Sequence, residues 1–127
     1  WGIIPVALAQ AETAAKWMAG ATEEEYCAVV PSNTLKISGV DVFSAGTTSC
    51  GSDSDGCREL VERDDEKGLY RKVVVEDGAI AGAIIVGSKN GTREIGTLIE
   101  EAVPVGRWGD DIVRDDFDYK AVLDQAG

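Results

Sequence analysis

Cys27, Cys50 and Cys57 are the strongest nucleophiles in a chain that contains no histidine. Without histidine, a Ser/His/Asp triad, a Cys/His dyad and a His-bearing zinc site are all excluded. The cysteines form no Cys-x-x-Cys pair. Their odd number, in a small chain without a signal-like start, predicts reduced thiols in a cytoplasmic protein. Cys57 precedes Arg58, whose charge would favour a thiolate, so a sensor that closes a disulfide between Cys50 and Cys57 is a minor reading. The simpler reading, in which one cysteine packs in a strand and the other has no role, is the better one.

Two other segments resemble binding motifs. Gly82-Ala-Ile-Ile-Val-Gly87-Ser-Lys89 nearly follows the phosphate-loop pattern, but its last two residues are reversed and its middle is an apolar strand. A strand followed by a turn is the better reading. Asp53-Ser-Asp55-Gly56 begins like a calcium loop. Counting from Asp53, however, Cys57 falls at the fifth position and Asp64 at the twelfth, where a bidentate glutamate belongs. A solvated turn is expected there. Asn90-Gly-Thr92 matches a glycosylation sequon, and Asn90 or Thr92 is expected instead to cap a helix. No carboxylate pair stands in the apolar context that acid–base catalysis needs. No catalytic residue and no metal ligand is therefore predicted.

These residues must be positioned by 127 residues of 13.4 kDa, enough for one small domain. Twelve Lys and Arg against 23 Asp and Glu give a net charge of −11, which opposes nucleic acid and anionic membrane surfaces as partners. The longest apolar stretch, residues 79–87, is far shorter than the roughly 20 residues that span a bilayer. The start at Trp1 rather than Met suggests a processed product or the tail of a longer polypeptide.

Residues 3–20 read as one helix, with Pro5 in its first turn and Gly20 just past its end. Six alanines make it slim, and its apolar character predicts burial against something the rest of the chain does not offer. Residues 21–33 read as a connector closing in a turn at Pro31-Ser32-Asn33. Alternating or apolar runs at 34–38, 40–45, 57–63, 69–75 and 79–86 predict five short strands, and Asp77-Gly78 is a strong hairpin signal. A helix is expected from about Thr92, with Ile95, Leu98 and Ile99 on one face, ended by Pro104 and Gly106. The remainder, 104–127, reads as an acidic tail bearing Trp108, Asp110, Asp111, Asp115, Asp116 and Asp118, with a short helix near 118–125. The order is that of an α+β fold: an N-terminal helix, about five antiparallel strands, a C-terminal helix and a tail.

Trp1-Gly-Ile-Ile-Pro-Val-Ala-Leu-Ala-Gln-Ala-Glu-Thr-Ala-Ala-Lys-Trp-Met-Ala-Gly20 resembles the last helix of the FAD-binding domain of pyridine nucleotide-disulfide oxidoreductases. Thr34-Leu-Lys-Ile-Ser-Gly-Val-Asp-Val-Phe-Ser-Ala-Gly46 resembles the start of the small C-terminal domain of rubredoxin reductases and nitrite reductase flavoproteins. The likeness continues through Gly68-Leu-Tyr-Arg-Lys-Val-Val-Val-Glu-Asp-Gly-Ala-Ile-Ala-Gly-Ala-Ile-Ile-Val-Gly87 and the Leu98-Ile99 helix; residues 105–127 have no counterpart in it. The resemblance implies a domain plan of 1–20 as the end of an FAD domain, 21–33 as connector, 34–103 as the C-terminal domain and 104–127 as a tail. FAD and NAD(P)H would bind to upstream domains of the parent enzyme, because their Gly-x-Gly-x-x-Gly turns and Gly-Asp motif are not in this sequence. The chain alone is expected to hold neither cofactor and to be inactive. By position, Ile4, Pro5 and Val6 would lie beside the flavin ring, at a helix N-terminus whose free N–H groups favour negative charge.

The implied function is a C-terminal fragment that packs on its own FAD domain, in a parent that passes electrons from NAD(P)H to a rubredoxin-like or other acceptor. A homodimer interface is a further partner implied. The alternative is a free-standing acidic interaction module that docks a partner through Trp108 and the Asp-rich tail.

Overall fold

The computed structural model describes residues 4–21, 23, 25, 26, 28–51 and 55–126. They fall into two units, Trp1–Pro31 and Ser32–Gly127. Cys27, Asp53 and the first residues of the predicted helix lie outside the described residues.

In the first unit, helix α1 spans Ile4–Met18. Pro5 occupies its first turn, where a missing N–H breaks no helical bond. Lys16 and Glu12 pair at 3.4 Å, one turn apart. The helix stops in a Schellman arrangement, with Gly20 N–H donating to Trp17 O and Ala21 N–H to Lys16 O, both at 3.0 Å. Ile4, Leu8 and Met18 are exposed, and Val6 is buried.

The second unit is a five-stranded antiparallel sheet, as the alternating runs predict. Its strands are β1 (Ser32–Ile37), β2 (Val40–Gly46), β3 (Cys57–Asp64), β4 (Leu69–Glu76) and β5 (Ala79–Val86). Helix α2 (Thr92–Glu100), a kinked 3-10 segment (Gly106–Val113) and helix α3 (Tyr119–Ala126) follow. Asp77 and Gly78 form the β4–β5 turn with positive φ at both residues, 51° and 80°. That is the mirror-image turn whose twist matches flanking strands.

Strand order is β1-β2-β5-β4-β3. Side chains alternate across the sheet, so each strand offers one set to each face. Phe43, Ala45, Val73, Ala83 and Ile85 face the helices and meet Ile95 and Leu98 of α2, together with Val105, Ile112, Tyr119 and Val122. The opposite face carries Leu35, Ile37, Val40 and Val61, all exposed.

Because β5 and β4 lie between β2 and β3, residues 47–56 must cross both strands. At Thr47 the chain sets out on the face away from the helices. A Cβ on Gly82 would lie 1.9 Å from Thr47 O, so the backbone of the crossover occupies the place of a side chain. Thr47 N–H donates to Ala81 O at 2.9 Å, fixing the start of the crossing. Val74, next in the same row, is fully buried.

Four local expectations differ from the structure. Ser32 and Asn33 form no turn; they pair with Ala45 and Ser44 in β1, because an available ladder partner outweighs turn preference. Neither Asn90 nor Thr92 caps α2. Gly91 takes the N-cap position with φ 71°, the Thr92 hydroxyl donates to Lys89 O, and the Asn90 amide is drawn to Asp115 O. The helix ends before Pro104, with Ala102 in the left-handed region (φ 49°) and Val103 N–H bonded to Leu98 O at 3.2 Å. Finally, residues 104–127 enter the core through Val105, Ile112, Val113, Tyr119 and Val122, since their apolar side chains complete the helix-facing layer.

Replacing Gly82 by alanine is expected to destabilise the domain by about 1–3 kcal/mol, the usual range for overpacking. The urea midpoint, read at unchanged slope, checks this.

Candidate functional site

The residues expected at a cofactor, Ile4, Pro5 and Val6, occupy the first turn of α1. Consecutive positions on a helix point in different directions, so what they share is the helix end rather than a common face. Ile4 is 75% exposed, Pro5 is exposed and Val6 is 6% exposed. No acidic residue stands in this turn, so its free N–H groups keep their partial positive charge.

The sheet brings together a second group that the sequence did not announce. Arg71, on β4, is fully buried on the helix-facing side. Its Nη1 donates to Asp115 Oδ1 at 2.8 Å and to Asn90 O at 3.1 Å, and its Nη2 donates to the Tyr119 hydroxyl at 3.3 Å. That hydroxyl donates onward to Ile112 O, and Asp115 N–H donates to Glu62 Oε2 at 2.6 Å. The Tyr119 ring lies over Gly91, where a Cβ would come within 2.3 Å of it. Burial holds the Tyr119 phenol above its ordinary value, with the nearby Arg71 charge pulling the other way.

The acidic residues of 104–127 are largely engaged within the domain. Asp110 pairs with Arg58 at 3.1 Å, Asp116 with Arg114 at 2.9 Å, and Asp118 Oδ1 accepts the Ala121 N–H at the start of α3. Trp108 is half-buried against the core, and the Arg107 guanidinium sits 4.0 Å from its ring centroid. Beside them Val103, Pro104, Val122 and Gln125 help to line a groove of about 480 Å³.

Cys50 and Cys57 are joined in a disulfide, with Cα atoms 5.8 Å apart. The expectation of reduced thiols is therefore corrected for this pair. The crossover returns Cys50 to the start of β3, a proximity that cysteine spacing alone does not disclose. Arg58, adjacent in sequence, is turned to Asp110 instead of serving the sulfur. The neighbour that matters is Glu59. Its Oε1 accepts the Cys50 N–H at 2.7 Å while its Oε2 pairs with Lys72 at 2.6 Å. The Lys72 hydrogen bond, then that of Cys50, holds the Glu59 carboxyl below its ordinary value. Among the described residues no group of three or more His, Cys, Asp or Glu side chains is placed to hold a metal ion. None of their helices is long and apolar enough to cross a membrane.

Residues 31–103 match the rubredoxin NAD+ reductase C-terminal domain. The nitrite reductase (NAD(P)H) of Bacillus subtilis (strain 168) is 34% identical over 103 residues, covering 80% of this chain and 12% of that protein. The assimilatory nitrate reductase electron transfer subunit of the same organism is 28% identical over 102 residues, covering 80% of this chain and 13% of the relative. The chain thus spans about an eighth of the length of these relatives. Among solved structures, a chain of the covalent putidaredoxin reductase–putidaredoxin complex shares the fold. Its TM-score is 0.69 at 15% identity, over 96% of this chain and 27% of that one.

Tyr119 gives the domain a pH signature. Its folded-state value lies above the ordinary 10.0, so the unfolded chain loses this proton first as pH rises. The stability contribution is complete below the unfolded value and is lost as pH climbs through the folded one. Tyr119→Phe should cost about 1–2 kcal/mol near neutrality through lost hydrogen bonds. It should also weaken the fall in stability as pH rises through and beyond the ordinary tyrosine range. Denaturation curves for both proteins at several pH values measure it.

Proposed function

Because the chain belongs to the rubredoxin NAD+ reductase C-terminal domain family, we propose that it is the C-terminal portion of an FAD-dependent NAD(P)H oxidoreductase. Upstream domains of the parent hold FAD and NAD(P)H, and the parent passes electrons from NAD(P)H to a rubredoxin-like or other redox carrier in the cytoplasm. The observation that carries this reading is the family match over residues 31–103, joined to much longer relatives, of which the match covers 12% and 13%, whose names state NAD(P)H-linked reduction and electron transfer.

The role of this portion is to pack on the FAD domain and shape the surface on the flavin side. Exposed apolar side chains support it: Ile4, Leu8 and Met18 on α1, and Leu35, Ile37, Val40 and Val61 on the sheet. Such surfaces are costly in water and mark contacts with other domains. The first turn of α1 suits a flavin. Ile4 and Pro5 are exposed, no carboxylate neutralises the helix end, and the alanines behind them keep the cylinder narrow. Bound there, FAD would take up hydride from NAD(P)H and release electrons onward. The chain's own contribution is the positive helix end at Ile4, Pro5 and Val6, which favours negative charge developing on the ring.

The test is the intact mass and absorption spectrum of the native protein from its source cells. A longer polypeptide with visible flavin absorption is expected; a colourless species of the present length overturns the reading. In the flavin-bearing parent, Pro5→Asp places a carboxylate at the helix end and should shift the flavin midpoint potential to more negative values. An unchanged potential would remove α1 from the flavin site.

A further inference from the structure

We propose that Cys50 and Cys57 form a reversible dithiol–disulfide site that clamps the crossover onto the sheet and exchanges with low-molecular-weight thiols and disulfides. This goes beyond the electron-transfer reading and does not depend on it.

Three observations converge on the pair. First, the bond spans a sequence separation of only 7 and joins the crossover to the first residue of an edge strand. Both cysteines are half-buried and neither is sealed in the apolar core. Second, the bond acts on the sheet face opposite the core. The crossover lies over Gly82 on that face, whereas Val73, Ala83 and Ile85 pack on the other. Opening the disulfide leaves the core layer and the buried Arg71 cluster intact. Third, the crossover is held at two further points, Thr47 N–H to Ala81 O and Cys50 N–H to Glu59 Oε1. Glu59 is itself steadied by Lys72. The sequence separation of 7 keeps Cys50 near Cys57 once the bond is opened, so the bond re-forms within the chain even though these two contacts then open more often.

The chemistry balances without a metal or flavin. One thiolate of the pair attacks a disulfide RSSR, forms a mixed disulfide and releases one RSH. The second thiolate then displaces the remaining RS group. The sum is RSSR plus two protein thiols giving one protein disulfide plus two RSH, with two electrons passing to RSSR. In the reverse direction, excess RSH opens the bond and releases the crossover from β3, uncovering the row at Val74.

Glutathione redox buffers applied to the full chain, with Cys27→Ser to remove the third thiol, test this. After acid quench and alkylation, trypsin yields residues 37–58 as one peptide that carries both cysteines. The expected result is a titration between a doubly alkylated form and an unalkylated form two hydrogens lighter, reached from either direction. On reduction, amide exchange at Thr47 and Cys50 should quicken by roughly tenfold or more, while Val73 and Ile85 stay protected. Cys50→Ser should show the fast exchange whatever the buffer. A bond that survives excess reduced glutathione is structural and overturns the proposal. So does a pair that never closes in oxidised glutathione, or a reduction that leaves exchange at Thr47 and Cys50 unchanged. The alkylation titration needs no Cys50 variant, so it decides the matter even if that variant misfolds.

Discussion

A fully buried guanidinium must find its partners inside the protein, and Arg71 finds them in three separate stretches of chain. The turn before α2 gives a carbonyl, the segment after the 3-10 turns gives a carboxylate, and α3 gives a phenol. Satisfying one charge therefore fixes where α2 begins, how the chain returns across the sheet and where α3 sits. Among the described residues the Nε atom has no hydrogen-bond partner, so the arrangement is not a simple gain in stability. Its consequence is positional: Asn90, Asp115 and Tyr119 can meet Arg71 together in one register only, and the apolar layer closes around that register.

The second constraint is topological. Placing β5 and β4 between β2 and β3 sends a connection over two strands, and a connection lying on a sheet needs bare backbone beneath it. Gly82 supplies that bare place, and the cysteine pair closes the far end. The sheet is thereby divided by face. One face carries the core and the Arg71 cluster, which hold the fold. The other carries the crossover, the disulfide and an exposed apolar strip. On the redox proposal, opening the disulfide moves the second without disturbing the first.

Acidic composition also takes on a different meaning in the folded domain. The net charge of −11 suggests a solvated tail or a docking face. Instead Asp110, Asp115, Asp116 and Asp118 meet arginines or cap a helix, and Trp108 leans on the core. Apart from the Asp115 pair with buried Arg71, these ion pairs are exposed and add little stability each. Together they show that the segment is part of the domain.

Much of the fold was legible in the residues. Pro5 and Gly20 bracket α1, period-two alternation marks the strands, Asp77-Gly78 marks their tightest turn, and Ile95 and Leu98 mark the buried stripe of α2. These signals are local: each depends on backbone preferences and side-chain direction within a window of a few residues, so the sequence carries them without knowledge of the partner. Ile4, Pro5 and Val6 are proposed for the flavin side on resemblance alone, because nothing in their types announces a site. Only the tertiary structure decided the rest. Arg71 and Asp115 stand 44 positions apart, and Glu62 and Asp115 stand 53 apart. Cys50 reaches Cys57 because the strand order sends the chain across the sheet. Burial of a lone arginine, a glycine under a crossing backbone and a closed disulfide are properties of which strands become neighbours, and that choice is made by packing the whole layer at once, beyond the reach of any local pattern.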